Sequence, residues 1–144
     1  WQAAVQDAGL QPLESLLGDW TAASGYALGR ELADRREVTA VFVANDHMAI
    51  GVLRALSEAG RSVPEDFSVV GFDDIPESGY FIPPLTTVRQ DFTAVGRLAI
   101  DTLQVAMRPD QDTGDHGVSS RRGRLLKPEL VVRASTAPAR ERKA

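Results

Sequence analysis

The feature that most constrains the fold is one well-capped amphipathic helix that lies between two short apolar runs. The helix is predicted from Asn45, an N-cap residue, to Ala59, and Gly60 marks its end. An apolar run over residues 40–44 precedes the helix, and a valine-rich run over 67–72 follows it, as expected for a strand covered on both faces. Strand, helix and strand predict a parallel crossover unit and therefore an α/β fold.

The same alternation of helices and strands continues on both sides of this unit. Further helices are predicted over residues 1–8, 21–35 and 92–107, and further strands over 13–18, 86–88 and 125–134. Residues 73–84 contain three prolines and one glycine, which predict a shaped loop with at most a short helical turn. The side chains expected to face the core are Tyr26, Leu28 and Leu32 in the second helix and Met48, Ile50, Val52, Leu53 and Leu56 in the third.

Composition narrows the class of protein. A chain of 144 residues with 43% hydrophobic content has the size of a single domain. The chain has no cysteine, which excludes a disulfide scaffold and a zinc–thiolate site and favours a reducing compartment. No apolar run approaches the roughly 18 residues of a membrane span. Residues 1–120 carry 8 basic and 18 acidic side chains, and this acidic bulk argues against direct binding of nucleic acid.

Side chains suited to gripping a small polar molecule occur where the predicted strands end. Trp20, Asn45, Asp73 and Gln90 each stand at or just beyond the carboxyl end of one of the first four predicted strands. In open α/β sheets the ligand crevice lies just outside the carboxyl ends of the strands. We therefore expect these four residues to face one cleft, whose role is binding before catalysis.

An enzyme or a phosphate-accepting receiver domain is the rival class that these residues raise. Adjacent aspartates such as Asp73 and Asp74 can hold magnesium. However, no matching lysine at a strand end and no nucleophile–base pair stands out, and His47 and His116 lack the spacing of metal ligands. We predict no catalytic residue, no metal and no cofactor.

Four runs together resemble the effector-binding domain of the LacI/GalR family of bacterial transcription repressors. They are GDWTAASGY at 18–26, AVFVANDHMAIGVLRALSEAG at 40–60, VPEDFSVVGFDDIPESGYFIPPLTTVRQDFTAVG at 63–96 and LLKPELVVRAS at 125–135. The resemblance implies a periplasmic-binding-protein-like domain, in which two α/β subdomains close over a sugar. The helix-turn-helix and hinge helix of the family have no counterpart in these 144 residues, nor has most of the N-terminal subdomain.

The resemblance also implies a division of the chain. Residues 1–91 are expected to form the C-terminal subdomain, and 92–108 the helix that crosses into the N-terminal subdomain. Residues 109–124 are expected to be a mobile connection, 125–136 a strand returning to the C-terminal subdomain and 137–144 a disordered tail. The apolar face of the crossing helix then needs a partner surface.

Carried over by position, the family's sugar contacts fall on the strand-end residues. Trp20 resembles the aromatic that packs against the sugar ring, and an ordinary core tryptophan is its alternative. Asn45 resembles an amide that bonds sugar hydroxyls, with an N-cap as the alternative, and Asp73 resembles the accepting carboxylate, with a turn aspartate as the alternative. Gln90 and Phe92 match a second amide and a second apolar wall, although an aromatic that begins a helix is more often part of the core.

Neighbouring polar residues have simpler expected roles. Asp46, Asp74 and Asp91 each adjoin a proposed site residue, and we interpret them as capping, hinge or loop groups. His47 is expected to face solvent or a dimer contact.

The family resemblance further implies a homodimer. Its expected interface consists of Met48, Val52 and Leu56 on the third helix and Tyr80, Phe81 and Ile82 on the loop, with packing inside the subdomain as the alternative. The implied function is a cytoplasmic repressor that binds a sugar or glycoside effector. It would reach operator DNA only through a helix-turn-helix outside this chain, and it would not contact a membrane. A transport-associated sugar-binding protein of the same fold is the alternative function.

Overall fold

A computed structural model describes residues 1–107 and 125–139 of the chain. The helices are α1 (Gln2–Asp7), α2 (Ala22–Asp34), α3 (Asp46–Glu58) and α4 (Phe92–Ala106), and a 3₁₀ turn covers Pro76–Tyr80. The strands are β1 (Ala40–Phe42), β2 (Ser68–Asp73), β3 (Thr86–Arg89) and β4 (Glu129–Val131). The predicted connection at 109–124 and the end of the predicted tail, 140–144, lie outside the described residues.

The four strands form one mixed sheet in the order β1-β2-β3-β4. β1, β2 and β3 run parallel, and Val41 pairs with Val69 while Gly71 pairs with Thr87. This confirms the crossover unit and the α/β class. β4 instead runs antiparallel to β3, so the expected parallel sheet ends in one antiparallel edge strand, which begins directly after Pro128.

Three helices begin at a local side-chain cap, and Asn45 is the one predicted above as an N-cap. The side chains of Thr21, Asn45 and Asp91 accept hydrogen bonds from the backbone N–H three residues later, at 3.1, 2.8 and 2.8 Å. Each bond satisfies one of the free N–H groups of a helix start. Gly60 follows the end of α3 with a φ of 68°, a conformation that glycine adopts without strain.

α2 and α3 pack almost backbone to backbone, and α3 lies on one face of the sheet. A Cβ atom at Gly51 would lie 2.0 Å from the carbonyl oxygen of Ala22, and one at Gly25 would lie 2.1 Å from that of Met48. Only glycine permits this approach. The core between the helices and the sheet is formed by Leu32, Ala33, Val38, Val43, Met48, Ala49, Val52, Leu53, Leu56, Phe67, Val69 and Leu85.

The predicted strand over residues 13–18 is wrong. These residues have no regular secondary structure, and no backbone hydrogen bond joins them to the described sheet. Leu17 is 91% exposed, and only Leu16 packs against the core. The run is strand-like in composition, but a strand needs a hydrogen-bonded neighbour, and β1 does not provide one here.

The second face of the sheet is less covered than expected for β2. Burial alternates along β2, because Val69 and Gly71 face α3 whereas Val70 and Phe72 are only half-buried. The Phe42 and Phe72 rings meet edge to face at 6.2 Å on this second face. In the described residues β2 is therefore fully covered on one face only, and the prediction of two covered faces is wrong.

Two smaller differences concern helix faces. Ile50, predicted to face the core, is exposed, since it points away from both α2 and the sheet-facing side of α3. α4 buries none of its residues, and its exposed apolar side chains are Phe92, Val95, Ile100, Leu103 and Val105. The amphipathic pattern of α4 is thus present without a covering surface in the described residues.

Candidate functional site

The carboxyl ends of β1, β2 and β3 lie side by side and bring the predicted site residues to one edge of the sheet. Asn45, Asp73 and Gln90 stand at these three strand ends. The Gln90 Nε2 donates a hydrogen bond to Asp73 Oδ1 at 3.0 Å, and the Asn45 Nδ2 donates one to the Trp20 carbonyl at 3.0 Å. We refer to these four residues as the effector edge.

Trp20 presents its indole to solvent. The side chain is 65% exposed, so the alternative of a core tryptophan is wrong. Asp19 fixes the turn before it, because its carboxylate accepts from the Thr21 hydroxyl at 2.6 Å. That hydrogen bond is the largest of the interactions that lower the pKa of Asp19 to about 2.

The backbone is strained at two positions of the effector edge. Trp20 has a φ of 71° and Asp73 a φ of 105°, values that residues other than glycine rarely adopt. Asp74 follows with a φ of 53°. Such outliers persist only where the surrounding structure holds them, and they cluster at functional sites. The strain therefore favours a functional role for Trp20 and Asp73.

Asn45 acts as a structural cap. It is nearly buried, its Oδ1 accepts from the Met48 N–H, and its Nδ2 holds the Trp20 carbonyl, so the N-cap alternative is confirmed. An amide oxygen has two lone pairs, and one of them is not used by this cap. A bond from Asn45 to a ligand stays a prediction that would use this second lone pair.

Phe92 is 58% exposed at the start of α4, and the alternative of a core aromatic is therefore wrong for the described residues. Beside it, a shallow concavity of about 270 Å³ adjoins Gln90. Its lining includes Phe72, Gln90, Val95, Leu98, Leu126 and Pro128. Trp20, Asn45 and Asp73 do not line this concavity, and Trp20 is open to solvent.

Comparison with known proteins identifies the fold family. The sequence pattern of the periplasmic binding protein-like domain matches residues 1–136. The chain belongs to the periplasmic-binding-protein-like domain family. The resemblance to the LacI/GalR effector-binding domain is confirmed by the relatives of this domain.

Three of these relatives are repressors or repressor structures. The chain is 40% identical over 139 residues to the lactose operon repressor of Klebsiella pneumoniae, covering 96% of the chain and 37% of the relative. It is 39% identical over 140 residues to the HTH-type transcriptional repressor PurR of Edwardsiella ictaluri, covering 93% of the chain and 38% of the relative. A crystal structure of the lac repressor dimer bound to operator and the anti-inducer ONPF superposes with a TM-score of 0.78 at 37% identity, covering 94% of this chain and 45% of that one.

The chain thus spans well under half the length of these relatives. The relatives are transcriptional repressors and not enzymes. None of the helices in residues 1–107 and 125–139 has the length and apolar character that a membrane crossing requires.

In this periplasmic-binding-protein-like domain, half of the predicted dimer interface needs correction. Met48, Val52 and Leu56 are buried in the core of their own chain beneath α2, so their side chains are not available to a partner subunit. Tyr80 and Ile82 are 86% and 94% exposed, whereas Phe81 packs partly against the core. A dimer contact through Tyr80 and Ile82 stays a prediction.

The sequence does not predict an ion-pair cluster that lies behind the effector edge. Asp74 accepts from Arg89 Nε at 2.6 Å and from Arg133 Nη2 at 2.7 Å, and Arg133 also donates to the Leu85 carbonyl at 2.7 Å. Burial alone would raise the pKa of Asp74, but the hydrogen bonds and charges of Arg133 and Arg89 outweigh it and hold the pKa below its ordinary value. The same pairing raises the pKa of Arg89. The cluster holds Asp74 in place, and Asp74 directly follows Asp73 of the effector edge.

Proposed function

We propose that this chain is the ligand-sensing part of a cytoplasmic bacterial transcription repressor whose operator affinity is switched by a sugar or glycoside. The observation that carries the proposal is the exposed, strained Trp20 at the same sheet edge as the Asp73–Gln90 pair. The repressors among its relatives support the regulatory role. PurR is nearly as similar as the lactose operon repressor, so the sugar class rests chiefly on the chemistry of the edge.

That chemistry suits a ring that is apolar on one face and hydroxylated at its rim. The Trp20 indole can cover the C–H face of a pyranose and combine apolar burial with orientation. The Asp73 carboxylate accepts from hydroxyls in charge-assisted bonds, and the Gln90 amide both donates and accepts. Because Gln90 Nε2 and Asp73 Oδ1 already lie 3.0 Å apart, one hydroxyl can bond to both groups.

Switching of the operator affinity requires a second binding surface (a second wall of the cleft) opposite the effector edge. A sugar that bridges two subdomains binds one relative orientation better than the other, and so shifts the equilibrium that spaces the DNA-binding heads of a homodimer. Coupling of this kind is typically about 1–3 kcal/mol. The isolated chain offers only one open wall, so we expect it to bind sugar weakly. Micromolar sugar binding by the isolated chain in calorimetry would contradict the need for the second wall.

The transport-associated sugar-binding protein has no comparable support, because the relatives reported above are repressors. The sequence upstream discriminates the two functions. A helix-turn-helix supports repression, and a signal peptide supports transport.

The test is a thermal-shift screen of the intact regulator against a panel of mono- and disaccharides, followed by titration of the best hit. Trp20→Ala should weaken its affinity roughly tenfold or more, corresponding to about 1.4 kcal/mol of lost stacking. Trp1→Ala is the matched control, because Trp1 is also exposed but lies outside the effector edge. Equal affinities of the wild type and Trp20→Ala would refute the stacking role.

A further inference from the structure

Asp46 is a fully buried carboxylate that joins three distant parts of the chain. Its Oδ2 accepts from the Ser78 hydroxyl at 2.6 Å and from the Ile75 N–H at 3.1 Å, and its Oδ1 accepts from the Thr87 hydroxyl at 2.6 Å. A buried charge is tolerated only when its oxygens are bonded. Asp46 also lies in the first turn of α3, where the positive end of the helix dipole stabilises a negative side chain.

The two oxygens serve different surfaces. Oδ2 holds the 3₁₀ turn, which ends at the exposed Tyr80, two residues before the exposed Ile82. Oδ1 holds β3 at Thr87, three residues before Gln90 of the effector edge. One side chain at the start of α3 is therefore bonded to both the turn and the strand.

Asp46 has no room to turn away from these partners. A Cβ atom at position 71 of β2 would lie 2.1 Å from Asp46 Oδ1, so the carboxylate fills the space that Gly71 leaves. Directly before it, Asn45 caps α3 and holds the Trp20 carbonyl. The start of α3 is thus rigidly bonded to Trp20 on one side and to the turn and β3 on the other.

We propose that Asp46 is a positioning residue that holds the effector edge and the Tyr80–Ile82 surface in one fixed arrangement, so that effector affinity and self-association depend on each other. The proposal rests on the proposed function for the identity of the effector. It assigns Asp46 no contact with the ligand. Removing the carboxylate uncouples the two surfaces, and removing one partner hydroxyl disturbs one surface alone.

The experiment compares three variants of the intact regulator. Ser78→Ala removes the bond to the turn, Thr87→Val removes the bond to β3, and Asp46→Asn weakens both because bonds to a neutral amide are weaker than charge-assisted bonds to a carboxylate. Asp34→Asn, an exposed aspartate at the end of α2, is the matched control. Sedimentation gives the dimer dissociation constant, and titration with the best sugar of the panel gives the effector affinity.

We expect Ser78→Ala to weaken self-association roughly tenfold and to leave sugar affinity within about twofold. Thr87→Val should show the reverse pattern. Asp46→Asn should weaken both and abolish the effect of sugar on the dimer constant, whereas Asp34→Asn should change neither. If Asp46→Asn does not fold, the opposite effects of Ser78→Ala and Thr87→Val still carry the test.

Hydrogen exchange without sugar separates this proposal from the function itself. Ser78→Ala should speed exchange of the Ile75 and Ser78 amides only, and Thr87→Val that of the β3 amides only. If the wild type binds no sugar in the panel, the proposed sugar function fails, while exchange and self-association still test the role of Asp46. Variants that lower only the global free energy of unfolding, with no such separation, would overturn the proposal.

Discussion

Arg133 should be worth clearly more to stability than Arg89, although both pair with Asp74. The Asp74 side chain is 7% exposed, that of Arg133 21% and that of Arg89 49%. Replacing Arg133 with methionine removes the partly buried bonds to Asp74 and to the Leu85 carbonyl. Hydrogen bonds to charged groups contribute about 1.5–3 kcal/mol each, and Asp74 keeps one partner, so we expect a loss of about 2–3 kcal/mol.

Arg89→Met is the matched control, because water replaces an exposed guanidinium far more easily. Urea unfolding of the chain, followed by circular dichroism at pH 7, measures both free energies of unfolding. The Arg133→Met loss should exceed the Arg89→Met loss and should persist in high salt, which screens exposed pairs more than buried ones. Equal losses, or a larger loss for Arg89→Met, would refute the assignment of the stabilising pair.

The other predictions use the same unfolding measurement. Gly51→Ala should destabilise the chain by about 2–3 kcal/mol, because the new Cβ meets backbone atoms of α2. Gly96→Ala on α4 meets nothing within 4 Å and should stabilise the chain by about 0.5–1 kcal/mol. An unchanged stability of Gly51→Ala would show that α2 and α3 can move apart. Asp74 stabilises the fold at pH values above its unfolded pKa of about 3.9, and this stabilisation is lost as pH falls through its lower folded pKa. Asp74→Asn should therefore make the free energy of unfolding less dependent on pH in the acid range. An unchanged pH dependence would contradict the lowered pKa of Asp74. Asn45→Ala should cost about 1–2 kcal/mol through loss of the cap, and Asn45→Asp should restore most of it; if neither variant changes stability, the cap is energetically unimportant.

The crossover unit could be predicted from the sequence because its signals are local. An N-cap such as Asn45 bonds an N–H only three residues away, and Gly60 ends α3 through its own backbone conformation. The apolar spacing of α3 also showed which face would be covered. The family resemblance, and not this spacing, implies that Met48, Val52 and Leu56 lie in a dimer interface, whereas in the fold they are buried in the core of their own chain.

What could not be predicted depends on contacts between distant parts of the chain. The strand expected over 13–18 has a suitable composition, but no neighbouring strand pairs with it in the described residues. The bonds of Asp46 to Thr87 and of Asp74 to Arg133 join residues 41 and 59 positions apart. For the effector edge, the strand-end positions were visible in the sequence, whereas the backbone strain at Trp20 and Asp73 required the fold.

A crystal structure of the intact protein with the best sugar of the panel shows directly whether the effector edge holds the ligand. We expect a sugar ring against the Trp20 indole, with hydroxyls within hydrogen-bond distance of Asp73 and Gln90. A sugar bound with none of these side chains in contact would contradict the assignment of the effector edge.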